Sequence, residues 1–214
     1  LEILRIGYTD SDARVSTSSG AWQGLAIDYL DRAAFDTYWD HTVAPLLQVS
    51  RPYLRTTLVN LATDSWELGG TNWTGRFAEE FRKRRGYDPT RYLPIVAGRI
   101  VQDRATSNRG VNDRRRTVGD LITDHYDHFS ERAKEYGLGT QCESGGPHGA
   151  PMDALETFRS SDIPQSEYWA PSAEHRSSDE DRFFVKEAAS AADIYGKSIV
   201  AEEGMTSIGP HWSE

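Results

Sequence analysis

Two hydrophobic spacings alternate along the chain, and they predict helices and strands in turn. In residues 24–47 apolar and aromatic side chains recur at every third or fourth position, beginning with Leu25, Tyr29 and Ala33, which is the period of a helix. Residues 54–62 instead combine threonine, valine and leucine in one run, as a strand buried on both faces does. Strand and helix therefore follow one another along the chain.

The same two patterns continue to the C-terminal end. Gly86, Gly137 and Gly196 each close a helical pattern, as glycines at helix C-termini commonly do. Residues 88–116 interrupt the alternation because they mix proline, glycine and arginine, and they predict a long irregular insertion. The predicted strands are 3–9, 54–62, 138–146, 161–169 and 197–207, and the predicted helices are 24–47, 73–86, 117–137, 151–159 and 182–196.

Acidic residues stand at the C-terminal ends of successive predicted strands. The connections are long enough for parallel crossovers, so these strand ends are expected to meet at one face of a sheet. A (β/α)8 barrel builds its active site at that face. The acids are Asp64, Glu67, Glu143, Glu167, Glu202 and Glu203.

This placement predicts an α/β fold, a TIM-type (β/α)8 barrel. An open doubly wound sheet would usually carry a glycine-rich phosphate loop, and GGPHG at 145–149 lacks its spacing. The chain offers about five strand candidates, whereas a complete barrel has eight strands. Residues 1–214 are therefore predicted to be one domain that forms part of a barrel, with parallel strands alternating with helices.

Composition narrows the function classes. The net charge of −9 argues against a nucleic-acid partner, because binding phosphates requires a basic face. No apolar run approaches the roughly 20 residues of a transmembrane helix, so no membrane span is expected. The single cysteine, Cys142, has no histidine beside it in sequence, which favours a small buried side chain over a catalytic thiol.

The segment LATDSWELGGTNWT, residues 61–74, places two acids and two tryptophans at the end of a predicted strand. Carboxylates in an aromatic pocket suit glycoside hydrolysis, in which one acid protonates the departing oxygen and a second carboxylate activates water or attacks the sugar. Several acids can also hold a hard cation such as calcium. The two chemistries are compatible, because vicinal hydroxyls of a sugar can complete a calcium shell. Trp66, Trp73 and Trp169 are the candidate aromatic walls.

The histidines give weaker signals. His148, in PHGAP, is a candidate ligand or sugar hydrogen-bond donor, and His211, which follows the last predicted strand, is a candidate substrate contact. His125 and His128 lie on the polar side of a predicted helix, so we expect both to be exposed to solvent.

Several motifs together resemble glycoside hydrolase family 106, the α-L-rhamnosidases. DSWELGGTNWT is followed in order by FRKRRGYDPTRYLPIVAGRIV, HGAPMDAL, DIPQSEYW, KEAASAADIYGKSIVAEEGMTS and IGPHW. The resemblance covers nearly the whole chain, and DSWE, NWT and SEYW are its most specific parts. Members of that family are much longer and combine a (β/α)8 barrel with accessory β-domains. The resemblance implies that these residues are a middle slice of such a barrel, whose partner is the rest of the same polypeptide.

The resemblance also implies roles for individual residues. The family inverts configuration with two glutamates and holds an active-site calcium that touches the sugar. Matched by motif, Glu67 is the acid and Glu203 the base, with Glu202 as the alternative to Glu203, while Glu167 and Asp64 take the metal positions. The residues assigned to a substrate containing α-L-rhamnose are Trp66, Asn72, Trp73, Glu143, His148, Trp169 and His211.

Two other functions stay open at this level. One is a retaining β-glycosidase of the large barrel clan, whose carboxyl groups would stand closer together than the roughly 6.5–9.5 Å of an inverting enzyme. The other is a carbohydrate-binding barrel segment without catalysis. The family resemblance further implies a secreted or periplasmic bacterial protein that acts on polysaccharides, oligosaccharides or glycosides.

Overall fold

The structure, a computed structural model, is built around a four-stranded sheet. The residues it describes are 3–14, 24–68, 70–144, 150–169 and 181–206. The strands are β1, Asn60–Thr63; β2, Gly139–Cys142; β3, Ile163–Trp169; and β4, Ala201–Thr206. They lie in chain order, and every neighbouring pair is parallel. Parallel strands that alternate with helices confirm the predicted fold class, a partial TIM-type barrel.

Helices occupy the crossovers between the strands, as parallel pairing requires. They are α1, Arg32–Tyr38; α2, Ala44–Val49; α3, Phe77–Arg85; α4, Arg104–Glu135; α5, Ala154–Thr157; and α6, Asp181–Tyr195. A π-helical turn, Trp39–Val43, joins α1 to α2, and 3₁₀ turns lie at Arg51–Tyr53 and Thr90–Ala97. α3 and α4 connect β1 to β2, α5 connects β2 to β3, and α6 connects β3 to β4.

The N-terminal part of the chain differs from the prediction. Residues 3–9 form no regular secondary structure and belong to no strand of the described sheet. The helix predicted over 24–47 begins only at Arg32, because the Asp31 side chain accepts the backbone N–H of Ala33 and caps the helix there. The sheet therefore starts with β1 rather than with the first predicted strand.

The predicted irregular insertion over 88–116 is wrong for much of its length. α4 begins at Arg104, where Asp103 accepts the N–H of Thr106 at 2.7 Å, and it continues through the helix predicted from 117 onward. Arginine is a good helix former, so an arginine-rich stretch needs no break. The result is one 32-residue helix. Among the described residues, no helix is both long enough and apolar enough to cross a membrane.

The main core lies between the sheet and its helices. Cys142 in β2 is fully buried there, as predicted, and burial raises its thiol pKa to about 11. On the same side of β2, the hydroxyl oxygens of Thr140 and Ser130 in α4 lie 3.0 Å apart. This contact identifies the face of the sheet that packs on helices. Other core residues are Trp39, Phe77, Phe81, Val118, Ile122 and Tyr126.

Candidate active site

Strand register places a set of polar side chains on the face opposite the helices. Successive side chains of a strand point to opposite faces, and Thr140 marks the helix-facing side of β2. Paired residues of parallel strands point to the same face, and Cys142 pairs with Pro164 while Glu167 pairs with Glu203. The face to which each side chain points can therefore be assigned from β2 to β4. The opposite face carries Gln141, Glu143, Gln165, Glu167 and Glu203.

Three carboxylates from three strand ends meet on this face. Asp64 follows β1, Glu143 follows β2, and Glu203 lies in β4. One oxygen from each side chain lies within 4.8 Å of the other two. All three are predicted site residues, and the parallel sheet brings them together because the C-terminal ends of its strands share one edge. We call these three residues the acid cluster.

Glu143 is the buried member of the acid cluster, with an exposed fraction of 0%. Its Oε2 accepts a hydrogen bond from Gln165 Nε2 at 2.7 Å, whereas Oε1 has no hydrogen-bond partner among the described residues. The pKa of Glu143 is raised to about 8, mainly by burial and in smaller part by the charges of Glu203, Glu167 and Asp64, while the hydrogen bond from Gln165 opposes the rise. A buried oxygen without a partner is costly, so this site is suited to receive a cation or a hydrogen-bond donor.

Glu203, rather than Glu202, belongs to the acid cluster. Glu202 pairs across the sheet with Ser166, whose hydroxyl accepts the backbone N–H of Ala188 in α6 at 3.0 Å. Glu202 therefore lies on the helix-facing register, while Glu203 shares its register with Glu167. Glu167 is 5% exposed and lies beside the acid cluster without being one of its three members.

Glu67 lines a pocket next to the acid cluster. This pocket has a volume of about 120 Å³, and its lining includes Asp64, Glu67 and His125. Glu67 is exposed, and its Oε1 accepts a hydrogen bond from the Ser65 hydroxyl at 3.1 Å. Asp64 belongs to both the pocket and the acid cluster, so the two form one continuous candidate site.

The two tryptophans of the segment after β1 pack mainly against protein. Trp66 is 4% exposed, and its ring centroid lies 5.7 Å from that of Tyr29 and 6.5 Å from that of Tyr126. The ring of Trp73 packs against Phe77 at 4.5 Å. This packing leaves little of the Trp66 ring for stacking on a sugar, contrary to its predicted role. Both rings instead support the segment that carries Asp64 and Glu67.

Of the four remaining predicted substrate contacts, two lie among the described residues and two do not. Asn72 is exposed, and its carbonyl oxygen accepts a hydrogen bond from Arg114 at 3.4 Å. Trp169 ends β3 after an irregularity in register. His148 and His211 lie outside the described residues, so their roles stay predictions.

Two histidines of α4 that the sequence predicts to be exposed are buried, and one of them lines the pocket beside Glu67. His125, which lines that pocket, is 8% exposed, and His128 is 5% exposed. Burial lowers the pKa of His125 to about 3, and the neighbouring His128 adds to this effect. The available signal was the helical period of α4, in which His125 falls between Ile122 and Phe129 on the apolar side.

A larger open groove, about 760 Å³ in volume, lies along the N-terminal half of α4. Its lining includes Arg109, Arg115 and Arg116. Among the described residues that line it, the one acid is Asp113, which accepts a hydrogen bond from the Tyr87 hydroxyl at 2.8 Å. Converging carboxylates therefore distinguish the strand-end site from this larger groove.

Known proteins match the chain closely. The model of glycoside hydrolase family 106, described as alpha-L-rhamnosidase, matches residues 1–214. A protein of Formosa agariphila named "Putative beta-glucuronidase" is 34% identical over 213 residues, which are 99% of this chain and 18% of that protein. The solved structure of a rhamnosidase from Novosphingobium sp. PP1Y superposes with a TM-score of 0.81 at 30% identity, and the match covers 94% of this chain and 19% of that one.

The chain thus spans less than a fifth of the length of these two relatives. The match nevertheless extends over the strands and crossovers that carry the acid cluster. On this evidence the chain belongs to glycoside hydrolase family 106.

Proposed function

We propose that this chain supplies part of the catalytic barrel of an α-L-rhamnosidase that inverts configuration. The convergence of Asp64, Glu143 and Glu203 within 4.8 Å is the observation that carries the proposal, because glycoside hydrolysis depends on carboxyl groups placed around one sugar. The family match supports rhamnose as the sugar. The substrates would be oligosaccharides, polysaccharides or glycosides with a terminal α-L-rhamnosyl residue.

Glu67 is the proposed general acid and Glu203 the proposed general base. In an inverting reaction the acid protonates the departing oxygen, while the base removes a proton from the water that attacks the opposite side of the sugar. Glu67 is exposed and lines the pocket beside the acid cluster, and Glu203 lies in the acid cluster. In the substrate complex we expect the two carboxyl groups to stand about 6.5–9.5 Å apart, with the water between them.

The acid cluster also fits a calcium ion. Calcium prefers oxygen ligands, and Oε1 of Glu143 is a buried carboxylate oxygen without a partner among the described residues. Asp64 and Glu143 would hold the ion, with Glu167 as a further candidate ligand, while Glu203 would serve as the base. When bound, the ion would offset the clustered negative charge and bind vicinal hydroxyls of the sugar. Glu143, predicted as a substrate contact, thereby becomes a proposed metal ligand.

The first test is release of p-nitrophenol from p-nitrophenyl α-L-rhamnoside by the full-length protein that contains this chain. We expect release that a chelator abolishes and calcium restores. On an alkyl α-L-rhamnoside, whose departing alkoxide must be protonated, Glu67→Gln should lower kcat by about 10³-fold, because general acid catalysis typically contributes 10²–10⁴-fold, while sugar binding persists. Glu135→Gln, an exposed acid in the last turn of α4, is the control. Wild-type turnover of the alkyl rhamnoside by Glu67→Gln would exclude Glu67 as the acid.

Stereochemistry tests the inverting mechanism separately. Proton NMR of the first product should show β-L-rhamnose, because inversion of an α-glycoside gives the β-anomer. Initial release of the α-anomer would instead favour a retaining enzyme, with the two carboxyl groups about 5–5.5 Å apart.

A second candidate function is hydrolysis of β-glucuronides, which the name of the Formosa relative favours. The same protein should therefore be assayed in parallel with p-nitrophenyl β-D-glucuronide. Release from the glucuronide alone would replace rhamnose as the proposed sugar. Release from neither substrate by a folded protein would favour a carbohydrate-binding role.

A further inference from the structure

A pair of glutamines lies on the same face of the sheet as the acid cluster. Gln141 is in β2 and Gln165 is in the neighbouring β3. The Gln141 side-chain N–H donates a hydrogen bond to Oε1 of Gln165. Nε2 of Gln165 donates in turn to Oε2 of Glu143 at 2.7 Å. The three side chains form a directed series of hydrogen bonds that ends at the buried acid.

The direction of this series follows from the chemistry of the amide group. A glutamine side chain accepts through one oxygen and donates through one NH₂ group. Because Gln141 occupies the oxygen of Gln165, the NH₂ group of Gln165 is the part turned toward Glu143. A flipped Gln165 amide would set its oxygen against the Glu143 carboxylate and, with Gln141 as it stands, its NH₂ group against a second NH₂ group. As a donor, Gln141 therefore favours the orientation of Gln165 that binds Glu143.

The hydrogen bond from Gln165 determines which oxygen of Glu143 is left for the site. Oε2 is engaged, while Oε1 is buried and has no partner in the described part of the chain. Asp64 and Glu203 lie close by, and their charges disfavour the ionised form of Glu143. Whenever Glu143 is ionised, as a ligand of a cation must be, its hydrogen bond from Gln165 is about twice as strong as one between neutral groups, and this bond opposes the repulsion from the other two acids.

We infer that Gln165, oriented by Gln141, is a positioning residue that holds Glu143 in the acid cluster with only one oxygen left to bind. The positioning is a property of three side chains, whereas its effect on turnover rests on the proposed function. Glu143 would then act as a one-oxygen ligand toward a cation or a sugar hydroxyl. A side chain that orients a ligand in this way typically matters 10–100-fold for affinity or activity.

The kinetic test uses Gln165→Leu and Gln141→Leu in the full-length protein. Gln165→Leu should lower kcat/KM on p-nitrophenyl α-L-rhamnoside, and the affinity for added calcium measured by calorimetry, by at least about tenfold. Gln141→Leu should have a smaller effect in the same direction. Gln48→Leu makes the same chemical change at an exposed site in α2 and should leave both quantities unchanged.

A double-mutant cycle with Glu143→Gln separates positioning from a general structural effect. If Gln165 acts through Glu143, then Gln165→Leu should cause little further loss in a protein that already carries Glu143→Gln. Losses that simply multiply would overturn the inference.

A crystal structure of the full-length Gln165→Leu variant provides a measurement that needs no activity. We expect the Glu143 carboxylate to leave its wild-type rotamer. An unmoved Glu143 would overturn the inference even if turnover falls. If the wild-type protein is inactive on rhamnosides but Glu143 is displaced in the Gln165→Leu variant, the inference is supported and the proposed function is rejected.

Discussion

His125 lies in α4 beneath the segment that carries Glu67. Its ring centroid is 5.0 Å from that of Tyr29 and 6.0 Å from that of Trp66. Nδ1 has no hydrogen-bond partner among the described residues. Burial disfavours the charged imidazolium, so the pKa of His125 falls to about 3. Burial therefore keeps the His125 ring neutral at pH values at which an exposed histidine would be charged.

This burial predicts loss of stability in weak acid. The unfolded chain binds a proton at His125 near pH 6.5, whereas the folded protein does so only near pH 3. The stabilisation is fully present above pH 6.5 and is lost as the pH falls toward 3, by about 2 kcal/mol between pH 7 and pH 5. Denaturant unfolding of the full-length protein at these two pH values measures the loss.

A His125→Phe variant should keep the aromatic packing and reduce the loss between pH 7 and pH 5 by that amount. His41→Phe, which replaces an exposed histidine, should leave the pH dependence as it is in the wild type. Equal pH dependence in His125→Phe and wild type would contradict the assignment.

At the scale of elements, α4 passes close to its neighbours at two internal glycines. A Cβ added at Gly119 would overlap the carbonyl oxygen of Pro151. A Cβ added at Gly110 would lie 3.1 Å from the δ-methyl of Ile95. The backbone at Pro151 cannot move as easily as the flexible Ile95 side chain. Of the two glycines, only Gly119 is therefore required for close packing.

We therefore expect Gly119→Ala and Gly110→Ala to have opposite effects. Alanine gains about 1 kcal/mol in helix propensity at either position, but overpacking against Pro151 should cost about 1–3 kcal/mol. Gly119→Ala should consequently be less stable than wild type and Gly110→Ala equal or more stable, as measured by thermal melting. A Gly119→Ala variant as stable as Gly110→Ala would show that the backbone at Pro151 moves aside at little cost.

On the scale of the whole molecule, β1 and β4 are the two edges of the described sheet. Edge strands present unpaired N–H and C=O groups that can bind other chains. Large apolar side chains such as Ile194 and Ile199 are also more than half exposed. The chain spans 18% and 19% of its two relatives, so these surfaces are suited to contacts with further strands of a barrel.

Residues 1–214 expressed alone should therefore associate or lack a cooperative melt, whereas the full-length protein should melt cooperatively. Light scattering and a thermal scan measure both properties. A monomeric segment with a sharp melt would contradict the expectation that the sheet needs further strands.

The sequence by itself determined the alternation of strand and helix, the parallel sheet and the strand-end position of the acids. These features depend on local signals, namely hydrophobic period, glycines at helix ends and acids directly after apolar runs. The burial of Cys142 was also predicted, because no histidine stands beside it in sequence to favour a catalytic thiol. Family membership was likewise visible in the sequence, because each of the motifs DSWE, NWT and SEYW is a run of consecutive residues.

Only the tertiary structure decided which acids meet and which residues are buried. Glu203 rather than Glu202 reaches Asp64 and Glu143 because strand register selects one face of the sheet. Trp66 and His125 are enclosed because helices distant in sequence pack over them. Such contacts depend on register and packing between separate segments, which no local sequence pattern contains.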